Sequence, residues 1–192
     1  RVHNIPIVSD IISNSFTIPK MVNHSDVFLG QCGDAVKKTL KPDLLITFGA
    51  SVISKNLKLF LRQYRAKEHW HVQPGGEVAD TFQSITHVFN TTAETFFNFL
   101  HTISRQENFE SQKQNNFNKF WEVEQRRAER SLSEFFPTKE LSELDVVNEV
   151  LKNLPRPCNL HLSNSMSVRY ANYIGLTSDQ TGIEVFANRG TS

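Results

Sequence analysis

Three stretches place a cation where an anion could be gripped. Lys55 follows Ser54 in the opening turn of an expected helix, just after the short apolar run Leu44-Leu45-Ile46-Thr47-Phe48. A helix N-terminus carries partial positive charge and free amides, so a lysine there projects toward an anion that the amides also favour. The plain alternative is a lysine pointing into water. The second stretch is Ser163-Asn164-Ser165-Met166-Ser167-Val168-Arg169-Tyr170. A strand ends, polar residues turn the chain, and a helix begins, with Asn164 or Ser165 as its cap. Arg169 follows Ser165 by four residues and shares its helical face. A hydroxyl, a helix N-terminus and a guanidinium at a strand's C-terminal end make a carboxylate or phosphate pocket; the alternative is an N-cap beside a surface arginine. The third stretch is Asn188-Arg189-Gly190, just past a strand at Ile183 to Ala187. If the two strands are neighbours, Arg169 and Arg189 emerge at one sheet edge. Two guanidiniums aimed at one pocket suit a substrate with more than one carboxylate. The alternative is an arginine in a βα loop followed by a turn glycine.

Other chemistry is weaker. His69 and His71 alternate along a strand and face one side, which could serve a metal, but no third ligand is near in sequence. Asp34, Asp43 and Asp80 are scattered, without the spacing of a carboxylate pair. Gly49-Ala50-Ser51 and Gly75-Gly76 lack the spacing of either phosphate-loop fingerprint. No nucleophile triad can be argued, because separation along the chain says nothing about proximity.

The elements that must position these residues follow from periodicity. The run Leu44 to Phe48, flanked by Pro42-Asp43 and Gly49, reads as a strand buried on both faces of a parallel sheet. Leu57, Phe60, Leu61 and Tyr64 recur at helical spacing after Ser54, which caps the first turn. His69 to Val72 reads as a strand ended by Pro74-Gly75-Gly76, and Ile85 to Phe89 as another. Thr92 to Thr102 forms a helix through Phe96, Phe97, Phe99 and Leu100. Strands and helices alternating at these intervals predict an α/β fold, a Rossmann-like and mainly parallel sheet flanked by helices, with a partial second α/β domain. From Glu107 to Phe136 a long helix is expected, with Phe117, Phe120, Trp121, Val123, Ala128 and Leu132 on one side. Glu122 and Arg126 form an i,i+4 pair on its exposed side. The block Gln125 to Arg130 is a solvated face, because acids interleave its bases. A boundary is placed near Pro137. Beyond it come a helix from Glu140 to Asn153, capped by Thr138, then a strand at Asn159 to Leu162, a turn and helix from Ser163 to Tyr173, and the strand Ile183 to Ala187.

Composition excludes several classes. The 192 residues carry 21 Lys+Arg against 20 Asp+Glu, a net charge of +1, which argues against broad binding to a nucleic acid. With 39% apolar residues the chain can bury a core in one or two small domains. Its 2 Cys, Cys32 and Cys158, exclude a disulfide scaffold or Cys-rich zinc module and fit a reducing cytoplasm. No apolar run approaches the roughly 18 residues of a membrane helix. The chain opens at Arg1 within a strand-like segment, Val2 to Val8, and closes just after another strand, so it reads as a piece of a longer protein.

Taken together, these residues resemble a known family. Lys41-Pro42-Asp43-Leu44-Leu45-Ile46-Thr47-Phe48-Gly49, Ser54-Lys55, His69-Trp70-His71-Val72, Asn164-Ser165-Met166-Ser167-Val168-Arg169 and Asn188-Arg189-Gly190-Thr191-Ser192, in that order, are similar to the MenD family. Its members are the thiamine-diphosphate-dependent 2-succinyl-5-enolpyruvyl-6-hydroxy-3-cyclohexene-1-carboxylate synthases of menaquinone biosynthesis. The resemblance implies that residues 1–136 are a central domain lacking its first strand and helix, and that residues 137–192 begin the diphosphate-binding C-terminal domain. It implies that Lys55, Ser165, Arg169 and Arg189 bind the carboxylates of isochorismate and of the intermediate derived from 2-oxoglutarate. The family often has arginine after the lysine; Asn56 stands there in this sequence. The implied chemistry is addition of the thiamine ylid to 2-oxoglutarate, loss of CO2, and conjugate addition of the enamine to isochorismate. The resemblance places the cofactor-activating glutamate and the magnesium and diphosphate motif outside this chain. Thiamine diphosphate and Mg2+ are therefore expected in the full-length parent, a cytoplasmic homo-oligomer, and neither cofactor binding nor activity is expected of this piece alone. A scaffold or regulatory ligand-binding domain without catalytic residues is the alternative, compatible with the first for residues 1–136. An unrelated Rossmann-like nucleotide binder is disfavoured by the missing glycine fingerprint.

Overall fold

The computed structural model describes residues 5–16, 18–49, 51–106, 116–136 and 141–188. A 3-10 turn at Ile11–Ser13 precedes helices α1 (Ser25–Gln31) and α2 (Asp34–Leu40). Strand β1 (Leu44–Phe48), helix α3 (Lys55–Gln63), strands β2 (Glu68–Gln73) and β3 (His87–Asn90) and helix α4 (Ala93–Gln106) follow. Helices α5 (Phe117–Phe135) and α6 (Glu143–Lys152), strand β4 (Cys158–Leu162), helix α7 (Met166–Ile174) and strand β5 (Ile183–Ala187) complete the order. All strand pairs are parallel. One sheet runs β1-β2-β3 with Leu44 opposite Glu68 and Trp70 opposite His87; the other pairs β4 with β5, Cys158 opposite Ile183. The architecture is α/β with parallel sheets flanked by helices, as the alternation of elements predicts.

Two apolar clusters hold these layers. The first joins Phe28 and Leu29 of α1, Leu40 of α2, Leu57, Phe60 and Leu61 of α3, and Trp121 and Ala128 of α5. The Trp121 ring meets Phe28 and Phe60 edge-on, at centroid distances of 5.8 and 6.0 Å. The second draws Ile11, Phe16 and Ile53 from the first part of the chain and Leu151, Val168, Ala171 and Val185 from the last. Each such Leu, Ile, Val or Phe side chain, fully buried, contributes about 2 kcal/mol of hydrophobic stabilisation. Ile53 lies two residues before α3 yet packs under the second sheet, so burial alone already ties α3 to α7.

Several sequence expectations need correction. β1 is not buried on both faces: it lies at the rim of its sheet among the described residues, and Leu44 and Phe48 stay 41% and 48% exposed. Phe48 is covered only partly, by Phe97 of α4 at 5.1 Å. Val8 makes a single parallel bridge with Val22 rather than a strand. On α5 the buried side is Asn118, Trp121, Glu124, Gln125 and Ala128, while Phe120 and Val123 face outward. Glu122 accepts from Asn118 at 2.6 Å, and among the described residues of this helix Arg127 pairs with Glu124 at 2.7 Å, while no Glu122–Arg126 pair forms. Arg126, Arg127, Glu129 and Arg130 are solvated as expected, but Gln125 is buried. α6 starts at a capping box of Ser142 and Asp145, and Leu141 before it is exposed. The expected cap Thr138 and the boundary at Pro137 lie outside the described residues.

Candidate functional site

Lys55 is the first residue of α3, exposed and in no ion pair among the described residues. Ser54 caps the helix as its sequence position predicts, its Oγ accepting from Leu57 N at 3.1 Å. Most of the other amides at this helix start are already bonded within the chain. Asp10 Oδ2 accepts from Ile53 N and, at 3.2 Å, from Ser54 N. Asp26 Oδ1, almost fully buried, accepts from Asn56 N at 2.6 Å, and the Asn56 amide donates to Asp26 O at 2.7 Å. Two carboxylates of this chain thus occupy the place where an external anion was expected. Lys55 keeps its charge free, but without the amides as partners.

Ser165 and Arg169 lie on the second sheet. β4 ends at Leu162, and α7 begins at Met166 with Ser165 as its N-cap residue. Neither Ser165 nor Asn164 caps the helix through its side chain, contrary to the sequence reading. Ser165 instead adopts φ 70° and ψ −128°. For a residue with a Cβ this costs about 1–3 kcal/mol, and such strain is concentrated at functional sites. Its hydroxyl makes no hydrogen bond among the described residues, while Ser163 Oγ is engaged with Ser167 Oγ at 3.0 Å. Arg169, half-buried, has no carboxylate partner among the described residues. Its charge opposes the effects of burial and of Asp26 that push the Tyr173 hydroxyl above its ordinary range. β4 and β5 are neighbours, as the convergence of the two arginines requires; Arg189 itself lies outside the described residues.

The elements carrying Lys55 and Arg169 meet at one seam. Asn172, on α7 and 2% exposed, accepts at 2.9 Å from Ile11 N, the amide that follows Asp10. A second tie runs through His24. Its Nδ1 accepts from the Gln125 amide at 2.7 Å, so Nε2 carries the proton and donates to Ile174 O at 3.1 Å. Gln125 Oε1 also accepts from Asn23 N and His24 N, at 3.1 and 3.0 Å. Sequence reading missed Asp10, Asp26, Asn172, His24 and Gln125. Their partners stand 43, 30, 161, 150 and 101 residues away, and no local pattern marks them.

The other candidates resolve into structure. Gln73 donates to Gly75 O and Gly76 O, so its Oε1 accepts from His71 Nε2 at 2.9 Å. His71 Nδ1 therefore accepts from Thr47 Oγ1, which in turn accepts from His69 Nε2, at 2.9 and 2.8 Å. His69 Nδ1 closes the chain on Ser84 Oγ at 3.0 Å. Every ring nitrogen of the pair has a protein partner, which displaces the metal reading. Among the described residues no cluster of three His, Cys, Asp or Glu could hold a metal ion. Cys32 and Cys158 are free thiols. A shallow depression of about 420 Å³ on α5, lined by Val123, Arg126, Arg127, Arg130 and Ser131, is remote in sequence from the candidate residues and lacks their convergence with a strand end. No described helix is long and apolar enough to cross a membrane.

Known proteins bear out the resemblance. A family profile described as the middle domain of thiamine pyrophosphate enzymes matches residues 5–162. Among curated proteins, the chain is 36% identical over 189 residues to the 2-succinyl-5-enolpyruvyl-6-hydroxy-3-cyclohexene-1-carboxylate synthase of Cytophaga hutchinsonii, covering 97% of this chain and 32% of that protein. It is 35% identical over 179 residues to the synthase of the same name from Bacteroides thetaiotaomicron, with 92% and 29% covered. It is 32% identical over 174 residues to that of Flavobacterium johnsoniae, with 91% and 30% covered. The chain spans about a third of the length of the curated relatives it matches. Matched by the profile over most of its length and built on parallel α/β sheets, the chain belongs to the thiamine pyrophosphate enzyme middle-domain family.

Proposed function

We propose that this chain is the part of a thiamine-diphosphate-dependent transferase of menaquinone biosynthesis that grips substrate carboxylates, with Lys55, Ser165, Arg169 and Arg189 as ligands. The parent reaction on this reading decarboxylates 2-oxoglutarate and adds the succinyl unit to isochorismate by conjugate addition. Thiamine diphosphate, when bound, stabilises the carbanion. The resemblance assigns the cofactor and Mg2+ to other parts of a cytoplasmic, homo-oligomeric parent, and the chain alone is expected to be inactive. What its own residues contribute is binding and orientation: charge-assisted bonds hold both carboxylates of an acidic substrate while the reacting carbons are brought together.

The observation that carries this reading is Ser165. It sits at the end of a parallel strand, in a strained conformation, with an unengaged hydroxyl, one helical turn before an arginine that has no described acidic partner. The test uses the full-length parent. Arg169→Ala and Arg189→Ala should each lower kcat/KM for isochorismate about a hundredfold, or about 3 kcal/mol. Wild-type turnover in both would remove the residues from the site. Calorimetry on the isolated chain should detect no tight thiamine diphosphate binding; tight binding would contradict the assignment of the cofactor elsewhere. The scaffold reading gains support for residues 1–136 from the sealed helix start at α3, where Lys55 is the sole candidate ligand.

A further inference from the structure

Asp10 occupies an unusual position. Its carboxylate accepts from Ile53 N and Ser54 N at the head of α3, while the next backbone amide, Ile11 N, donates to Asn172 Oδ1 on α7. Asp10 and the amide that follows it thus join the element that begins with Lys55 to the helix that carries Arg169. The apolar contacts repeat the same junction, because Ile11 and Ile53 share a cluster with Val168 and Ala171. Asn172 stands three residues after Arg169 on α7, so its hold fixes the azimuth of that helix as well as its distance.

A buried carboxylate is an expensive way to join two helices. Burial pushes the Asp10 carboxyl above its ordinary range, and neighbouring Asp26 pushes it the same way, while the Ile53 and Ser54 amides and Asn172 oppose both. Apolar packing alone would join the elements without this desolvation, but it is non-directional and tolerates sliding. Two hydrogen bonds to one carboxylate, with a third from the adjacent Ile11 amide to Asn172, define an orientation that packing does not.

We propose that Asp10 is a positioning residue for the carboxylate site: by bonding to the head of α3 while Asn172 holds the adjacent Ile11 amide, it sets Lys55 and Arg169 in one frame. The inference rests on the reading of Lys55 and Arg169 as substrate ligands. Asp10 acts only through those residues and is not itself a ligand. Asn172 is its partner in the same role.

The test compares Asp10→Asn, Asn172→Ala, Lys55→Ala, Arg169→Ala and the double variant Asp10→Asn/Lys55→Ala in the full-length parent. Asp10→Asn should raise KM for isochorismate about tenfold and change kcat less than threefold. Its effect on KM should shrink to less than twofold in the Lys55→Ala background, because a misplaced ligand that is already gone cannot be lost twice. Amide hydrogen exchange should quicken in peptides covering 52–57 and 168–174 and stay unchanged over β2 and β3. If Asp10→Asn folds too poorly to assay, Asn172→Ala, which leaves the bonds from Asp10 to α3 in place, should show the same KM and exchange signature. Unchanged KM in Asp10→Asn and Asn172→Ala, with Lys55→Ala and Arg169→Ala impaired, overturns the proposal alone. A KM effect undiminished in the Lys55→Ala background also overturns it. Unchanged KM in Lys55→Ala and Arg169→Ala overturns the carboxylate reading and the proposal with it.

Discussion

Helices α3 and α7 both follow a parallel strand, both begin beside a serine, and both read from sequence as anion sites. Their N-termini are nonetheless opposites. At α3 the serine caps the helix, and two carboxylates of the chain take the Ile53, Ser54 and Asn56 amides. At α7 the N-cap serine hydroxyl has no described partner, its backbone is strained, and it stands near an arginine with no described acidic partner. The difference teaches that a helix start is not a site until its amides and neighbours are shown to be unspent. The first helix start is largely spent on structure. The second leaves its serine hydroxyl unengaged among the described residues, at a cost in backbone energy.

The largest expected effect attacks the sealed helix start. Asp26→Ala removes a buried acceptor and strands the Asn56 amide, so it should destabilise the chain by about 3 kcal/mol, read as a shift in urea midpoint. The equivalent change at α7, Ser167→Ala, removes only the exposed Ser163–Ser167 bond and should cost under about 0.5 kcal/mol. Equal losses at the two places would erase the contrast. Ser54→Ala should cost about 1 kcal/mol, the worth of a lost N-cap, and thermal melting would detect it.

The strained serine offers a change of opposite sign. Glycine accepts φ 70° and ψ −128° without the Cβ penalty, so Ser165→Gly should stabilise the chain by about 1 kcal/mol while weakening substrate binding in the parent. A destabilised Ser165→Gly chain would mean that the backbone there stores no strain. The smallest effect belongs to the first sheet. Burial holds the His69 imidazole below its ordinary value of 6.5, with His71 adding to this and Asp80 opposing it. The folded protein then binds fewer protons than the unfolded chain, so His69 contributes stability that is present above 6.5 and lost as pH falls through its folded value. Acidification from pH 7 to pH 5 should therefore lower the melting temperature more in the wild type than in His69→Gln. A steeper loss in the variant would reverse this sign.

The sequence by itself determined the strands, most of the helices, the parallel pairing and the family, because apolar periodicity and turn residues are local and each element repeats them over several residues. It also marked Lys55, Ser165 and Arg169 as places where charge or hydroxyl stands at an element's end. Leu44 to Phe48 shows where that legibility stops: an apolar run records that a strand is suited to burial, not whether neighbours cover it. Only the tertiary structure decided that Asp10 and Asp26 fill the head of α3, that Gln125 is buried against His24, and that Thr47 and Ser84 satisfy two histidines open to a metal reading. Each of those outcomes depends on groups brought together from distant parts of the chain. Hydrogen bonds act over about 3 Å whatever the separation in sequence, so the partners of a buried polar group are chosen by packing and leave no local trace.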